Sequence, residues 1–103
     1  MVITLVDGSI KTTDAMRTFV EQRLATALGR FRDRIARVEI RISDQNGPRG
    51  GIDKLCRITA EIAGAKPLLI EKRAGDFYEA IARAANAVKH NVARRVSKRG
   101  RRG

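Results

Sequence analysis

The sequence predicts an α+β fold: a two-layer sandwich in the order β-α-β-β-β-α, with a four-stranded sheet and both helices on one face of that sheet. Two segments repeat their apolar residues at helical spacing, and others alternate apolar with polar residues as half-buried strands do. Three strands follow one another with short links, which favours antiparallel pairing. Each helix has one apolar face that needs cover, and a single sheet face covers both. The length of 103 residues fits one domain.

The opening of the chain predicts the first strand and the first helix. Residues 2–6 form a short apolar run, which the turn segment Asp7-Gly8-Ser9 ends. Thr13 suits the N-cap of a helix over residues 14–29, because its hydroxyl can accept a hydrogen bond from a free backbone N–H. Gly29 is expected to end the last turn. The apolar face of this helix consists of Met16, Phe19, Val20, Leu24, Ala27, Leu28 and Phe31.

Three strands are predicted to follow, over residues 36–44, 54–63 and 68–73. A Gly-rich loop over residues 45–53 separates the first two of them, and a short connection precedes the third. Their inward faces are expected to carry Val38, Ile40, Ile42, Cys56, Ile58, Ala60, Ile62, Leu68 and Ile70.

The second helix is predicted from a capping box and an alanine-rich stripe. Asp76 and Glu79 have the spacing at which an N-cap acceptor and a glutamate satisfy each other's backbone donors. The helix is expected to run to about residue 97, so that one α+β domain spans 1–97 and a basic flexible tail spans 98–103. Its apolar stripe contains Phe77, Ile81, Ala84, Ala85, Val88 and Val92.

The net charge of +11 is concentrated at one end of the chain. Residues 80–103 contain eight basic and no acidic residues, which leaves a net charge of +3 for residues 1–79. Such asymmetry indicates an anionic partner, either a nucleic acid or a membrane surface. The basic end lacks the large apolar residues of a membrane-surface helix, and no apolar run reaches the roughly 20 residues of a spanning one. RNA is therefore favoured, and no membrane partner is expected.

Signals for catalysis and metal binding are weak throughout the sequence, and the scattered carboxylates Asp44, Asp53 and Glu61 fit a solvated surface better than an acid/base pair. Cys56 is in phase with the inward residues of a strand and is expected to be a buried structural thiol. The only histidine, His90, excludes a two-histidine metal site. The glycines of the loop lack the Lys and Ser/Thr of a P-loop. We therefore predict that the protein is not an enzyme and uses no cofactor, metal or small-molecule substrate.

Candidate RNA-binding residues lie on both predicted helices. On the second, a polar stripe from Arg83 to Lys98 extends over about 22 Å. On the first, Arg23 and Arg30 are two turns apart, so helices packed side by side would place basic rows along one cleft. Because aromatic residues are few, contacts with phosphates of folded RNA are expected rather than stacking on bases. The predicted RNA-binding residues are Arg23, Arg30, Arg83, Lys89, His90, Arg94, Arg95, Lys98 and Arg99.

Short motifs at the two ends of the first helix and at the start of the second carry a family resemblance. Thr13-Asp14-Ala15-Met16-Arg17 leads into the first helix, and Arg30-Phe31 follows it. Asp76-Phe77-Tyr78-Glu79-Ala80-Ile81 is similar to an Asp-Met-Tyr-x-Ala-Ile helix start that continues into basic residues. On these residues the chain resembles the ribosome hibernation-promoting factor and ribosome-associated inhibitor family over nearly its whole length. Its length and basic end resemble the short form of that family.

The resemblance implies a specific partner and mechanism. Family members bind the small (30S) ribosomal subunit at the decoding region of 16S rRNA, where mRNA and tRNA anticodon stems lie. They occlude this channel and hold ribosomes idle under stress, with basic side chains of both helices on rRNA phosphates. The resemblance also implies a bacterial cytoplasmic protein, and a separate ribosome modulation factor for the pairing of ribosomes. Ala87 and Thr26 stand where the family often has Lys.

A general structured-RNA-binding domain without ribosome specificity is the alternative. Double-stranded RNA-binding domains usually begin with a helix and have a Lys-rich helix start. Here a strand comes first, and the second helix opens with Asp76 and Glu79. The order of elements and the position of the charge therefore favour the ribosomal interpretation.

Overall fold

The structure is a computed structural model that describes residues 1–44 and 54–102, with side chains described up to residue 96. The predicted loop over 45–53 lies outside the described residues. A 3-10 helix, Gly29–Arg34, follows the first α-helix. The remaining elements are β1 Val2–Asp7, α1 Asp14–Leu28, β2 Ile35–Asp44, β3 Lys54–Ile62, β4 Leu68–Ala74 and α2 Phe77–Arg102.

The four strands form one sheet in the order β1-β2-β3-β4, which confirms the predicted fold. β2–β3 and β3–β4 are antiparallel, as their short links require. β1 and β2 are parallel, with Leu5 opposite Ile40. A parallel pair needs a crossover connection, and α1 supplies it. The helices cover the inner face of the sheet. Most described residues of its outer face, called the open face below, are exposed, although Leu55 on that face is buried.

One hydrophobic core lies between the sheet and the helices. Ile58 occupies the centre of the inner face, opposite Ile40 on β2 and Ile70 on β4. Leu24 of α1 and Val88 of α2 are fully buried against this face. The alternation of the strands and the stripes of both helices are therefore confirmed.

The start of α1 is capped as predicted, but its end differs. The hydroxyl of Thr13 accepts a hydrogen bond from the backbone N–H of Met16 at 3.1 Å. Gly29 does not adopt the left-handed conformation of a glycine cap, since its φ is −54° and its ψ is −40°. The chain tightens into the 3-10 helix instead, and this turn places Phe31 in the core.

A close approach of two backbones fixes the link between β1 and α1. A Cβ atom on Gly8 would lie 2.1 Å from the carbonyl oxygen of Ile42, so only glycine fits there. Ser9 accepts a hydrogen bond from the backbone N–H of Asp44 at 2.7 Å. Asp7 accepts from both the backbone and the hydroxyl of Thr12, and these bonds hold the pKa of Asp7 below its usual value.

The second helix is longer than the sequence analysis predicts. The carboxylate of Asp76 accepts from the backbone N–H of Tyr78 at 3.1 Å, which caps the start of the helix. The helix ends at Arg102 rather than near residue 97. Lys and Arg are good helix formers, and cations are favourable near a helix C-terminus. The division into a domain over 1–97 and a flexible basic tail over 98–103 stays a prediction.

Candidate nucleic-acid interface

The two helices lie side by side in the same direction and leave a groove between them. Ala27 of α1 and Ala85 of α2 line its floor, where short side chains let the helices approach. Its cavity volume is about 200 Å³. The side chains that line the groove are Arg23, Thr26, Ala27, Ala85, Asn86 and Lys89.

An aromatic pair lies beside Arg23, towards the N-terminal ends of both helices. The rings of Phe19 and Tyr78 meet edge to face, with centroids 5.0 Å apart and an interplanar angle of 78°. The guanidinium carbon of Arg23 lies 5.7 Å from the centroid of the Phe19 ring. This cation–π contact orients Arg23 without neutralising it.

The two cations of the groove have no acidic partner within the described part of the chain. Ion pairs there involve other residues, and both Arg23 and Lys89 are exposed. Glu21, two positions before Arg23, lies about 200° around the helix from it. The groove is therefore a site of uncompensated positive charge.

Arg83 is placed differently, although it belongs to the same predicted set. One guanidinium nitrogen pairs with the carboxylate of Glu79 at 3.1 Å, and another donates to the carbonyl of Arg73 at 3.1 Å. These bonds hold Arg83 on the β4 side of α2, away from α1. Its charge is partly neutralised before any partner binds.

The other predicted residues fall into separate places. Arg94 is exposed and donates to the amide oxygen of Asn91 at 2.9 Å, and His90 is exposed one helical turn before it. Arg95 donates to the carbonyl of Lys66 in the turn between β3 and β4. Arg30 lies over the Phe31 ring at 5.2 Å, on the 3-10 helix. The predicted basic rows are thus not one cleft: Arg23 and Lys89 face each other, and Arg83 and Arg95 turn towards the sheet.

Two of the predicted residues, Lys98 and Arg99, lie outside the residues whose side chains are described. Their part in RNA binding stays a prediction. The groove also includes residues that the sequence analysis did not select. One of them is Asn86, which is exposed and follows the buried Ala85 of the groove floor. A polar residue directly after an alanine of the apolar stripe is the sequence signal that could have identified it.

The chemistry of Cys56 agrees with a structural role. Its thiol is fully buried in the core, and burial raises its pKa to about 12. Within residues 1–44 and 54–96, no three His, Cys, Asp or Glu side chains come together as a metal site would require. Among the described helices, none combines the length and the hydropathy needed to span a membrane.

The comparisons with known proteins identify the family. Residues 3–100 match the family described as sigma 54 modulation protein / S30EA ribosomal protein. The chain belongs to this family. Membership confirms the family resemblance, and it confirms the coarser functional prediction of a ribosome-associated protein of the hibernation and interface class.

Solved structures of this S30EA fold support the assignment. The N-terminal domain of Protein Y from Thermus thermophilus is 26% identical, with a TM-score of 0.74, over 91% of this chain and 98% of that one. A ribosomal subunit interface protein from Coxiella burnetii superimposes with a TM-score of 0.79 at 15% identity, over 94% of this chain and 99% of that one. The second likeness shows the fold alone. No curated protein matches the chain in sequence.

Proposed function

We propose that this S30EA family member binds the small ribosomal subunit through rRNA phosphates, occludes the mRNA/tRNA decoding channel and silences translation under stress. Family membership supports association with the ribosome. The observation that carries the choice of surface is the groove between the helices, where Arg23 and Lys89 have no acidic partner among the described residues. Its site of action is then the bacterial cytoplasm.

The helical layer suits the recognition of a folded RNA backbone. Arg23 and Lys89 present cations from two parallel helices. Arg94 adds an exposed cation on the other flank of α2, the flank that carries Arg83. Lys and Arg contacts to phosphate supply affinity that is independent of sequence and falls with salt. Specificity for one ribosomal site then comes from the spacing of these cations on a rigid support.

On this proposal, translation is silenced by steric exclusion and no catalysed reaction is required. The molecule measures 51 × 23 × 18 Å along its principal axes, and a packed domain of that cross-section excludes mRNA and tRNA from the space it occupies. Release requires only that the phosphate contacts be broken. A separate ribosome modulation factor would join two such silenced ribosomes, and this chain would supply the silenced state.

Co-sedimentation with separated ribosomal subunits tests the proposal. The protein is expected to pellet with the small subunit near one-to-one at low salt and to be released as salt rises. If about six phosphates are neutralised, the affinity should fall with a log–log slope near −5 on the duplex scale. Added to a cell-free translation reaction, the same preparation should stop synthesis, and excess small subunits should restore it.

The outcome also distinguishes the alternative function. Equal, non-saturating binding to both subunits and to plain duplex RNA would indicate a general structured-RNA-binding domain. A salt-independent interaction would contradict phosphate binding altogether. Pelleting with the small subunit without any effect on translation would contradict occlusion of the decoding channel.

A further inference from the structure

The aromatic pair of Phe19 and Tyr78 lies next to Arg23, just beyond the N-terminal end of the groove. We propose that Tyr78 is a stacking platform for one unpaired RNA base, and that Arg23 and Lys89 hold the phosphates of the same strand. This inference rests on the proposed function, because it names a subsite within the same surface. It adds recognition of a single-stranded base to contacts that are otherwise to phosphates.

Tyr78 is the one aromatic side chain among the exposed large hydrophobic residues of the described chain, with 38% of its surface accessible. It lies in the first turn of α2, and the edge-to-face contact with Phe19 restrains its ring. A restrained, accessible ring loses little freedom when a base stacks on it. Every base has a π-face, so such a platform accepts any base.

Tyr78 shares a helix flank with the cations. Tyr78 and Lys89 are 11 positions apart, which is close to three whole turns, so both project from the α1 side of α2 about 16 Å apart. Arg23 is connected to this flank through Phe19, which contacts both Arg23 and Tyr78. A strand whose base lies on Tyr78 can therefore continue along the groove past Arg23 towards Lys89.

The groove is also selective by charge. Its described lining contains two cations, two neutral polar side chains and no carboxylate. The exposed amide of Asn86 offers both a donor and an acceptor to a base edge or a sugar hydroxyl. A polyanionic strand with planar bases fits this combination, whereas an apolar peptide would leave both cations unpaired.

The composition of the chain allows a direct measurement. Tyr78 is the only tyrosine and there is no tryptophan, so intrinsic tyrosine fluorescence comes from this side chain alone. Titration of the full chain with a short single-stranded oligoadenylate is expected to quench the fluorescence saturably. Inorganic polyphosphate, which has the charge but no bases, should bind without this quenching. Equal quenching by polyphosphate would overturn the proposal.

Substitutions separate stacking from packing. Tyr78→Leu is expected to weaken binding of a labelled oligoadenylate about 10-fold, since one stacked base is lost. Tyr78→Phe keeps the ring and should bind within about 3-fold of the parent. Leu69→Ala, at an exposed position on β4, is the matched control and should bind like the parent. Unchanged binding by Tyr78→Leu, or equal weakening by Tyr78→Leu and Tyr78→Phe, would overturn the stacking role.

The failure of this inference is distinguishable from failure of the proposed function. If Tyr78→Leu pellets with the small subunit as the parent does while Arg23→Glu does not, stacking is wrong and phosphate binding stands. If the parent does not pellet with the small subunit but its fluorescence is quenched by the oligonucleotide, the stacking site stands and the ribosomal function is wrong.

Discussion

The helical layer and the open face of the sheet both carry exposed arginines, but the two surfaces differ in how many of these charges are paired with carboxylates. On the open face, Arg57 and Glu71 are opposite each other on β3 and β4 and form an ion pair at 2.6 Å. The register also places Arg37 opposite Glu61. In the groove between the helices, Arg23 and Lys89 face each other, and no described carboxylate pairs with either.

On the proposed function, pairing within the fold limits which cations of a basic protein are available to an anion. Arg83 lies in the basic quarter of the chain, yet Glu79 already neutralises part of its charge. Arg23 comes from the part of the chain with nearly balanced charge, yet no carboxylate of the described residues pairs with it. Charge counted along the sequence favours an anionic partner, and charge counted after pairing in the fold supports the groove as the proposed surface.

The largest expected difference between the two faces concerns stability. Leu24 of α1 is fully buried in the core, whereas Leu69 on the open face is 57% exposed. Leu24→Ala should lower the free energy of unfolding by about 2–5 kcal/mol, because it leaves a cavity in the core. Leu69→Ala should change it by less than about 0.5 kcal/mol. Urea unfolding of both variants checks this, and equal losses would mean that the open face is covered by something in solution.

The next effect concerns binding, and it tests the comparison most directly. Arg23→Glu combined with Lys89→Glu should weaken small-subunit binding about 100-fold, since two charged contacts are lost and reversed. Arg37→Glu combined with Arg41→Glu makes the same change of net charge on the open face. That control should stay within about 3-fold of the parent. Quantitative pelleting at fixed salt measures both, and equal weakening would show that only net charge matters.

The inner face of β3 should make stability depend on pH through the buried thiol of Cys56. Burial raises the pKa of Cys56 to about 12 from an ordinary value of 9.0, while its neighbour Arg57 points to the open face. Above pH 9 the unfolded thiol ionises and the folded one does not, so stability present below pH 9 is lost as pH rises. Between about pH 8 and pH 10 the loss from this group is about 1.4 kcal/mol.

Cys56→Ala should remove that part of the pH dependence. The difference between parent and variant in urea unfolding at the two pH values isolates it from the titration of other groups. Parallel stability curves for the two proteins would contradict the burial of the thiol.

The fold was predictable from the sequence because its signals are local. Alternation in β2 and β3, the Thr13 cap and the Asp76 cap each depend on neighbouring residues. The end of α1 was less predictable, because a 3-10 turn forms where Phe31 gains burial in the core. The parallel pairing of β1 depends on the path of α1 across the sheet, which no short segment specifies.

The candidate site was predictable only in part, for a related reason. Residue types indicated RNA, and the helical spacing placed basic residues on exposed faces. Which cation meets which carboxylate depends on contacts between elements. The bond of Arg83 to the Arg73 carbonyl and that of Arg95 to the Lys66 carbonyl are such contacts. They separate these two arginines from the other predicted RNA-binding residues that line the groove.

The smallest expected effect comes from releasing a neutralised cation. Glu79→Gln removes the ion-pair partner of Arg83, whose side chain is already 53% exposed, and frees its charge for RNA. Affinity for the small subunit should rise about 2–3-fold, which is the scale of one exposed pair. Glu71→Gln frees Arg57 in the same way on the open face and should leave affinity unchanged. An equal rise in both variants would mean that added positive charge helps wherever it lies, and the helical layer would then not be the particular surface that meets RNA.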